Sequence, residues 1–245
     1  GDSISAAANQ LLITVDDDTP VANPATNSGQ SSAQPTNLTL ILDISGSMND
    51  PSGVSGLSRL ALMKQAVGKL IDGYDAFGDV KVNVITFSST ASNPQAIWQD
   101  PSAAKTFVGG LSARGSTNYD DALNEAWRAF ISDTGRFADG QNILYFLSDG
   151  EPNENDLSNS SLPTYGTSDN NLGGGDGISY SEEDDWIGFL KNFDIKAYSI
   201  GLGSGVSASK LDPIAYDGTG AGTNTPAIVV TNLSQLDATL SNTIA

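Results

Sequence analysis

Short apolar runs alternate with segments of helical periodicity from residue 37 onward, and this alternation constrains the fold more than any other feature. The first run, Leu38 to Leu42, has the length of a strand that is covered on both faces, as strands of a parallel sheet are. Alternating strands and helices predict an α/β fold: a Rossmann-like, open, mostly parallel twisted sheet with helices on both faces. The other predicted strands are Val80 to Phe87, Asn142 to Ser148, Ile195 to Gly203, Ala227 to Val230 and a short edge strand, "AIW", at Trp98.

Apolar residues at spacings of three and four predict three helices. Ser58 is the predicted N-cap of the first helix, because its side-chain oxygen can accept a free backbone N–H of the first turn. The apolar positions of the three helices are Leu60, Met63, Val67, Leu70 and Tyr74; Ala122, Leu123, Ala126 and Phe130; and Leu233, Leu236, Leu240 and Ile244.

Residues 1–36 differ in composition from the rest of the chain. Asn9 to Val15 has the pattern of a strand, Asp16 to Asp18 is a charge cluster, and residues 19–36 are a polar linker. We therefore expect the end of a preceding β module plus a linker at 1–36, and one domain at 37–245. Because the chain starts at Gly1 without a signal peptide, we expect it to be a piece of a longer protein. Within that protein we expect it to be a monomeric module.

The charge and the missing residue types narrow the possible functions. The formal net charge is −18, from 29 acidic and 11 basic residues, which would repel nucleic acid and anionic lipid. No apolar run approaches the roughly 20 residues that span a bilayer, so membrane insertion is not expected. The absence of cysteine and histidine excludes zinc sites built on them, and it excludes Ser-His-Asp and Cys-His catalysis.

Oxygen-bearing side chains stand where strands and helices of the predicted sheet end or begin. In open α/β sheets, ligands bind outside the carboxyl ends of the strands. Side chains at alternate positions of an extended loop point the same way, so those after the first strand can face one ion. Carboxylates and hydroxyls are the hard ligands that suit Mg²⁺, Mn²⁺ or Ca²⁺. These residues are Asp43, Ser45 and Ser47; Ser116, Thr117 and Asn118; and Asp149.

Each of these three segments also has a purely structural interpretation. Asp and Ser at strand ends often cap the next helix or stabilise a turn. For Asp43, Ser45 and Ser47 alone, the two interpretations are about equally good. The three segments in this order favour the metal site.

The chain from about residue 37 to 245 resembles a von Willebrand factor type A domain, whose hallmark is the metal-ion-dependent adhesion site: Asp-x-Ser-x-Ser, then Thr, then Asp. The resemblance implies one divalent cation, Ca²⁺ or Mg²⁺, touched by the serines and the threonine, with the aspartates acting through water. It leaves a sixth position for a carboxylate of the ligand, with Asn118 and Glu151 expected at the rim. The matching residues are Asp43, Ser45, Ser47, Thr117 and Asp149.

An acidic insertion at about 151–185 departs from that family. It has nine acidic residues and no basic one. The stretch Asp169 to Tyr180 partly resembles an EF-hand loop, but Gly173 and Tyr180 stand where ligands belong. A solvated acidic loop and a second calcium site are equally good interpretations. The candidate ligands are Asp169, Asp176, Glu182, Glu183, Asp184 and Asp185.

The N-terminal segment "TVDDDTP" is similar to the junctions between immunoglobulin-like repeats of large bacterial RTX adhesins. The resemblance implies a secreted or cell-surface bacterial adhesin with a protein partner or a host or biofilm surface that presents a carboxylate.

Three functions remain for comparison. The first is a metal-dependent adhesion module, and the second is a structural spacer stabilised by calcium. The third is a metal-assisted hydrolase or phosphotransferase with Asp43 as nucleophile. Phosphotransferases of this kind use an Asp-x-Asp motif, whose second aspartate is the general acid. Ser45 stands at that second position, so we do not expect the chain to be an enzyme.

Overall fold

A computed structural model describes residues 34–244, with gaps at 96, 133–134 and 155–176. The predicted strand and linker of residues 1–36 lie outside the described residues, apart from residues 34–36. Most of the acidic insertion also lies outside them.

The described strands form one open, mostly parallel sheet. In chain order they are β1 (Thr36–Asp43), β2 (Val80–Phe87), β3 (Ala91–Ser92), β4 (Gln141–Ser148), β5 (Ile195–Leu202), β6 (Tyr216–Asp217), β7 (Thr223–Asn224) and β8 (Ile228–Val230). The order across the sheet is β3-β2-β1-β4-β5-β6-β7, and β8 also pairs with β5. The central pairs β2-β1, β1-β4 and β4-β5 are parallel, as is β5-β8, whereas β3, β6 and β7 pair antiparallel. This confirms the predicted fold class.

Helices cover both faces of the sheet. They are α1 (Arg59–Phe77), α2 (Pro101–Gly109), α3 (Tyr119–Ile131), α4 (Tyr180–Asn192), α5 (Ala208–Leu211) and α6 (Leu236–Ser241). Leu38, Leu40 and Leu42 of β1 pack into a core with α1, α2 and α6, while Ile41 packs into a second core with α3, α4 and α5. Successive residues of a strand point to opposite faces, so the fully apolar run of β1 serves both cores.

The first predicted helix is confirmed together with its cap. Ser58 Oγ accepts a hydrogen bond from the backbone N–H of Ala61 at 3.1 Å. Leu60, Met63, Val67 and their partners at helical spacing are buried against the sheet.

The predicted edge strand at Trp98 is wrong. The edge strand lies earlier, at Ala91–Ser92, and Trp98 packs edge-on against Phe130 with ring centroids 5.8 Å apart. Trp98 is a buried core residue, and pairing here is limited to an isolated antiparallel bridge between its neighbour Gln99 and Val82.

Three helices have no counterpart in the sequence predictions: α2, α4 and the single-turn helix α5. Helix α2 buries only Ala104 and Val108, which leaves little periodic signal. Helix α4 begins inside the predicted acidic insertion, where Ser179 and Glu182 form a capping box. No helix within the described ranges is both long and apolar enough to cross a membrane.

Candidate metal site

Strands β1 and β4 bring Asp43 and Asp149 to the same edge of the sheet. The two strands are parallel neighbours with Leu42 opposite Leu147, so their carboxyl ends lie side by side. Asp43 is the last residue of β1, and Asp149 directly follows β4.

Backbone hydrogen bonds attach the loop before α3 to the loop after β1. Gly46 N–H donates to Gly115 O at 2.8 Å, and Arg114 N–H donates to Ile44 O at 2.7 Å. These two bonds hold the segment that carries Thr117 beside the segment that carries Ser45 and Ser47.

Asn153 attaches the same segment to the loop after β4. The N–H of Thr117 donates to Asn153 Oδ1 at 2.8 Å, and Asn153 N–H donates back to Thr117 O at 2.9 Å. All three loops with predicted ligands are therefore joined to one another.

Asp43 is completely buried, and both of its carboxylate oxygens accept hydrogen bonds. Oδ1 accepts from the N–H of Ser45 at 2.7 Å, and Oδ2 accepts from the hydroxyl of Ser148 at 2.6 Å. Burial raises the pKa of Asp43 to about 6, although these hydrogen bonds lower it. A carboxylate without such partners would be costly in this position.

A chain of hydrogen bonds connects the serines to Asp149. Ser45 Oγ and Ser47 Oγ are 3.1 Å apart, and Ser47 Oγ donates to Asp149 Oδ1 at 2.7 Å. A Cβ added at Gly150 would lie 3.7 Å from Ser47 Oγ and 3.8 Å from Thr117 Oγ1. Ser47 and Thr117 therefore border the same small space, which Gly150 leaves open.

The five residues of the adhesion-site pattern thus lie together, and we call them the oxygen cluster: Asp43, Ser45, Ser47, Thr117 and Asp149. The cluster offers two carboxylates and three hydroxyls, with no nitrogen or sulfur ligand. This donor set fits a hard divalent cation such as Mg²⁺ or Ca²⁺. In the part of the chain that the structure describes, no three Asp, Glu, His or Cys side chains are placed to share a metal, so the hydroxyls are needed.

Three neighbours of the oxygen cluster were not among the predicted residues, and the first is Asn153, which bonds to Thr117. Ser148 holds Asp43, and the guanidinium of Arg59 donates to Asp149 Oδ2 at 2.7 Å. Ser148 could have been predicted as a site residue from the sequence, since it stands next to Asp149 at the end of a predicted strand. Arg59 lies 90 positions from its partner, and no local pattern connects the two.

The remaining residues of the predicted site have different surroundings. Asn118 is buried and caps α3, its Oδ1 accepting from Asp121 N–H at 3.0 Å. Ser116 N–H donates to Ser89 Oγ at 2.9 Å. Glu151 is exposed and accepts from Ser207 N–H at 3.2 Å, so it is the surface-accessible member of the predicted rim pair.

The candidate ligands of the second calcium site fall into two groups. Asp169 and Asp176 lie outside the described residues. Glu182 to Asp185 stand in the first turns of α4, where Glu182 accepts the N–H of Ser179 at 2.8 Å. Glu182 therefore already has a capping role, and the second site stays a prediction.

Comparison with known families and proteins gives a match to one domain. Residues 38–151 match the family model of the von Willebrand factor type A domain, and this range contains the whole oxygen cluster. No curated protein sequence matches the chain.

Solved structures share the fold at low sequence identity. The PilB minor pilin from Streptococcus sanguinis is 22% identical, with a TM-score of 0.58 over 86% of this chain and 61% of that one. Proximal thread matrix protein 1 from the mussel byssus, with a zinc-occupied adhesion-site motif, is 18% identical, with a TM-score of 0.57 over 86% of this chain and 47% of that one. The pilus adhesin SpaC from Lactobacillus rhamnosus GG is 14% identical, with a TM-score of 0.60 over 87% of this chain and 30% of that one. The chain thus spans less than two thirds of each of these proteins.

Proposed function

We propose that the chain is a von Willebrand factor type A domain whose oxygen cluster is a metal-ion-dependent adhesion site. In this proposal, the domain binds a partner through a divalent cation, Ca²⁺ or Mg²⁺, at the carboxyl edge of the sheet. The partner presents a carboxylate, and the domain itself catalyses no reaction.

The hydrogen bond from Ser47 to Asp149 is the observation that carries the proposal. It joins residues 102 positions apart, and both come from segments that the adhesion-site pattern names. If Ser47 and Asp149 served only as local turn or cap residues, their side chains would bond to their own loops. Ser47 does contact Ser45 in its own loop, but it also donates to Asp149 across the ends of two neighbouring strands.

The composition of the oxygen cluster supports a ligand that is an anion. Its three hydroxyls are neutral, so only the two carboxylates would compensate the charge of a bound divalent cation. The cation would supply an electrophilic contact point for a carboxylate oxygen. Ser45 and Thr117 are buried and Ser47 is partly exposed, so Ser47 lies nearest to the solvent from which a ligand would arrive.

Because the chain carries a large negative charge, the proposed binding of an acidic partner needs the cation. A chain at −18 would repel an acidic partner at long range, but physiological salt screens that repulsion beyond about 8 Å. At closer range a bridging cation would overcome it. Binding should therefore need the divalent ion and tolerate moderate NaCl.

A location on a bacterial surface completes the proposal. The similar structures include a minor pilin and a pilus adhesin, which are surface proteins by name. The resemblance of residues 14–20 to adhesin junctions suggests an RTX adhesin as the parent protein.

An attachment assay tests the proposed function. Beads that carry the full chain are applied to carboxymethyl dextran and to unmodified dextran, in Mg²⁺ or in chelator. We expect attachment to the carboxymethyl surface in Mg²⁺, and its loss in chelator and in Thr117→Val. The control Ser116→Ala removes the neighbouring hydroxyl and should attach like the wild type. Undiminished attachment in chelator would leave any metal a structural role only, as in a spacer module.

A further inference from the structure

Arg59 contacts the oxygen cluster from the first position of α1. Its Nη1 donates to Asp149 Oδ2 at 2.7 Å, while Ser47 donates to Asp149 Oδ1. The side chain of Asp149 is fully buried, and that of Arg59 is only 22% exposed. This ion pair is therefore screened much less than a surface pair.

The surrounding backbone holds the pair in place. The N–H of Arg59 donates to Asp50 O at 2.9 Å, which fixes where α1 starts. Gly205 lies against the other side, where an added Cβ would be 2.6 Å from Asp149 O and 4.0 Å from Arg59 Nη1. No side chain fits between Gly205 and Asp149, so the backbone itself covers the pair.

The stability of α1 does not explain a cation at this position. The N-terminus of a helix carries a partial positive charge, so an arginine there is slightly unfavourable. Asp50 offers little compensation, because its oxygen is 4.0 Å from Arg59 Nη1 and its side chain is 60% exposed. The contact that Arg59 gains is the one with Asp149.

We propose that Arg59 sets the charge of the metal-loaded oxygen cluster and thereby selects an anionic ligand, an inference that rests on the proposed function. The negative charges of the two carboxylates and the positive charge of one divalent cation would cancel. The guanidinium adds one positive charge that no other member of the cluster balances. The loaded site is then cationic, which favours a carboxylate over a neutral ligand such as water or an amide.

The same guanidinium lowers the affinity of the ion-free oxygen cluster for a metal ion. It repels an incoming cation, and it also holds Asp149 by Oδ2 so that Oδ1 faces Ser47. Removing the charge should therefore strengthen metal binding and weaken anion binding at once. A purely structural arginine would not produce these two opposite changes.

Three variants of the full chain separate charge from packing. Arg59→Gln removes the charge and keeps an N–H donor, whereas Arg59→Lys keeps the charge. Arg128→Gln is the matched control, because it removes the same charge from α3, where Arg128 pairs with Glu125 at 2.8 Å. Circular dichroism and melting first establish that each variant is folded.

The measurement uses Mn²⁺ as the metal and acetate as the anion. Titration calorimetry gives the Mn²⁺ affinity, and the relaxation of water protons reports how acetate displaces water from the bound ion. We expect Arg59→Gln to bind Mn²⁺ about tenfold more tightly and acetate about tenfold more weakly, since a unit charge a few ångströms away acts on both. Arg59→Lys and Arg128→Gln should stay close to the wild type in both affinities.

The outcomes distinguish this inference from the proposed function. A wild type that binds no Mn²⁺ would overturn both. A wild type that binds Mn²⁺, with Arg59→Gln weakening the metal or leaving acetate unchanged, would overturn the role of Arg59 alone. Equal changes in Arg59→Gln and Arg59→Lys would also overturn it, because the charge would then not be the cause.

Discussion

The hydroxyl of Ser148 donates a hydrogen bond to Asp43 Oδ2 across 2.6 Å, between the ends of two neighbouring parallel strands. Asp43 is fully buried, and the N–H of Ser45 satisfies its other oxygen. The carboxylate that begins the adhesion-site pattern is thus held by the sheet on one side and by its own loop on the other. Its position is set before any ion binds.

Asp43 should make the stability of the ion-free protein depend on pH. Burial raises the pKa of Asp43 from 3.8 to about 6. Because the pKa in the folded state is above that in the unfolded state, the protonated carboxyl favours folding. This contribution is present below about pH 4 and is lost as the pH rises to about 6. The loss corresponds to about 3 kcal/mol.

Urea unfolding in chelator between pH 4 and 7 measures this effect. Asp43→Asn is the control, since its amide does not ionise, and its stability should change less over the same range. Parallel pH profiles for the wild type and Asp43→Asn would contradict the assignment.

Gly150→Ala should weaken metal binding without unfolding the protein. The φ of Gly150 is outside the left-handed region, and an added Cβ makes only ordinary contacts with Ser47 and Thr117. The methyl group would nevertheless take the space between their hydroxyls. We expect a loss of about 10- to 100-fold in Mg²⁺ affinity by calorimetry, as for other changes around metal ligands.

Gly188→Ala in α4 is the matched control for this substitution. Nothing lies within 4 Å of its added Cβ. It should leave Mg²⁺ affinity unchanged and stabilise the helix by about 0.5–1 kcal/mol. Wild-type affinity in Gly150→Ala would show that the space beside Gly150 is not where the ion binds.

Chelation should lower the melting temperature. An ion present at 100 times its dissociation constant adds about 2.7 kcal/mol if it binds only the folded state. For a chain of this size, that corresponds to about 5–10 °C. Calorimetric melting in Mg²⁺ and in chelator measures the difference, which should vanish in Thr117→Val. An equal shift in Thr117→Val would place the stabilising ion elsewhere.

The acidic insertion should distinguish calcium from magnesium. If Asp169, Asp176 and Glu182 to Asp185 form a calcium site, Ca²⁺ should restore more of the melting temperature than Mg²⁺ does. Mg²⁺ dehydrates reluctantly and is seldom held by flexible sites made only of protein ligands. Equal rescue by the two ions would count against a second site.

The long parallel strands were predictable because each is a bounded apolar run. The prediction for β2 agrees with the structure at both ends, and that for β4 begins one residue late. Helix α4 is hard to predict because its first turns are acidic and lie within the acidic insertion at about 151–185. Its only apolar signal within the buried face is Trp186, Phe189 and Leu190, which stand at helical spacing near the end of the helix.

The oxygen cluster was predictable because its members stand at strand and helix ends in a recognisable order. The residues that hydrogen-bond to the cluster are harder to predict from the sequence. Arg59 follows a helix cap, where an arginine is usually a solvated residue, and only the close approach of α1 to β4 turns it toward Asp149. Such contacts depend on how elements pack, which no local spacing encodes.

Titration of the full chain with Mg²⁺ tests the central claim most directly. The wild type and Ser116→Ala should each bind one ion per chain through the oxygen cluster. Asp43→Ala and Thr117→Val should lose that binding while their circular dichroism spectra remain those of a folded α/β protein. Full wild-type Mg²⁺ affinity in folded Asp43→Ala would contradict the account.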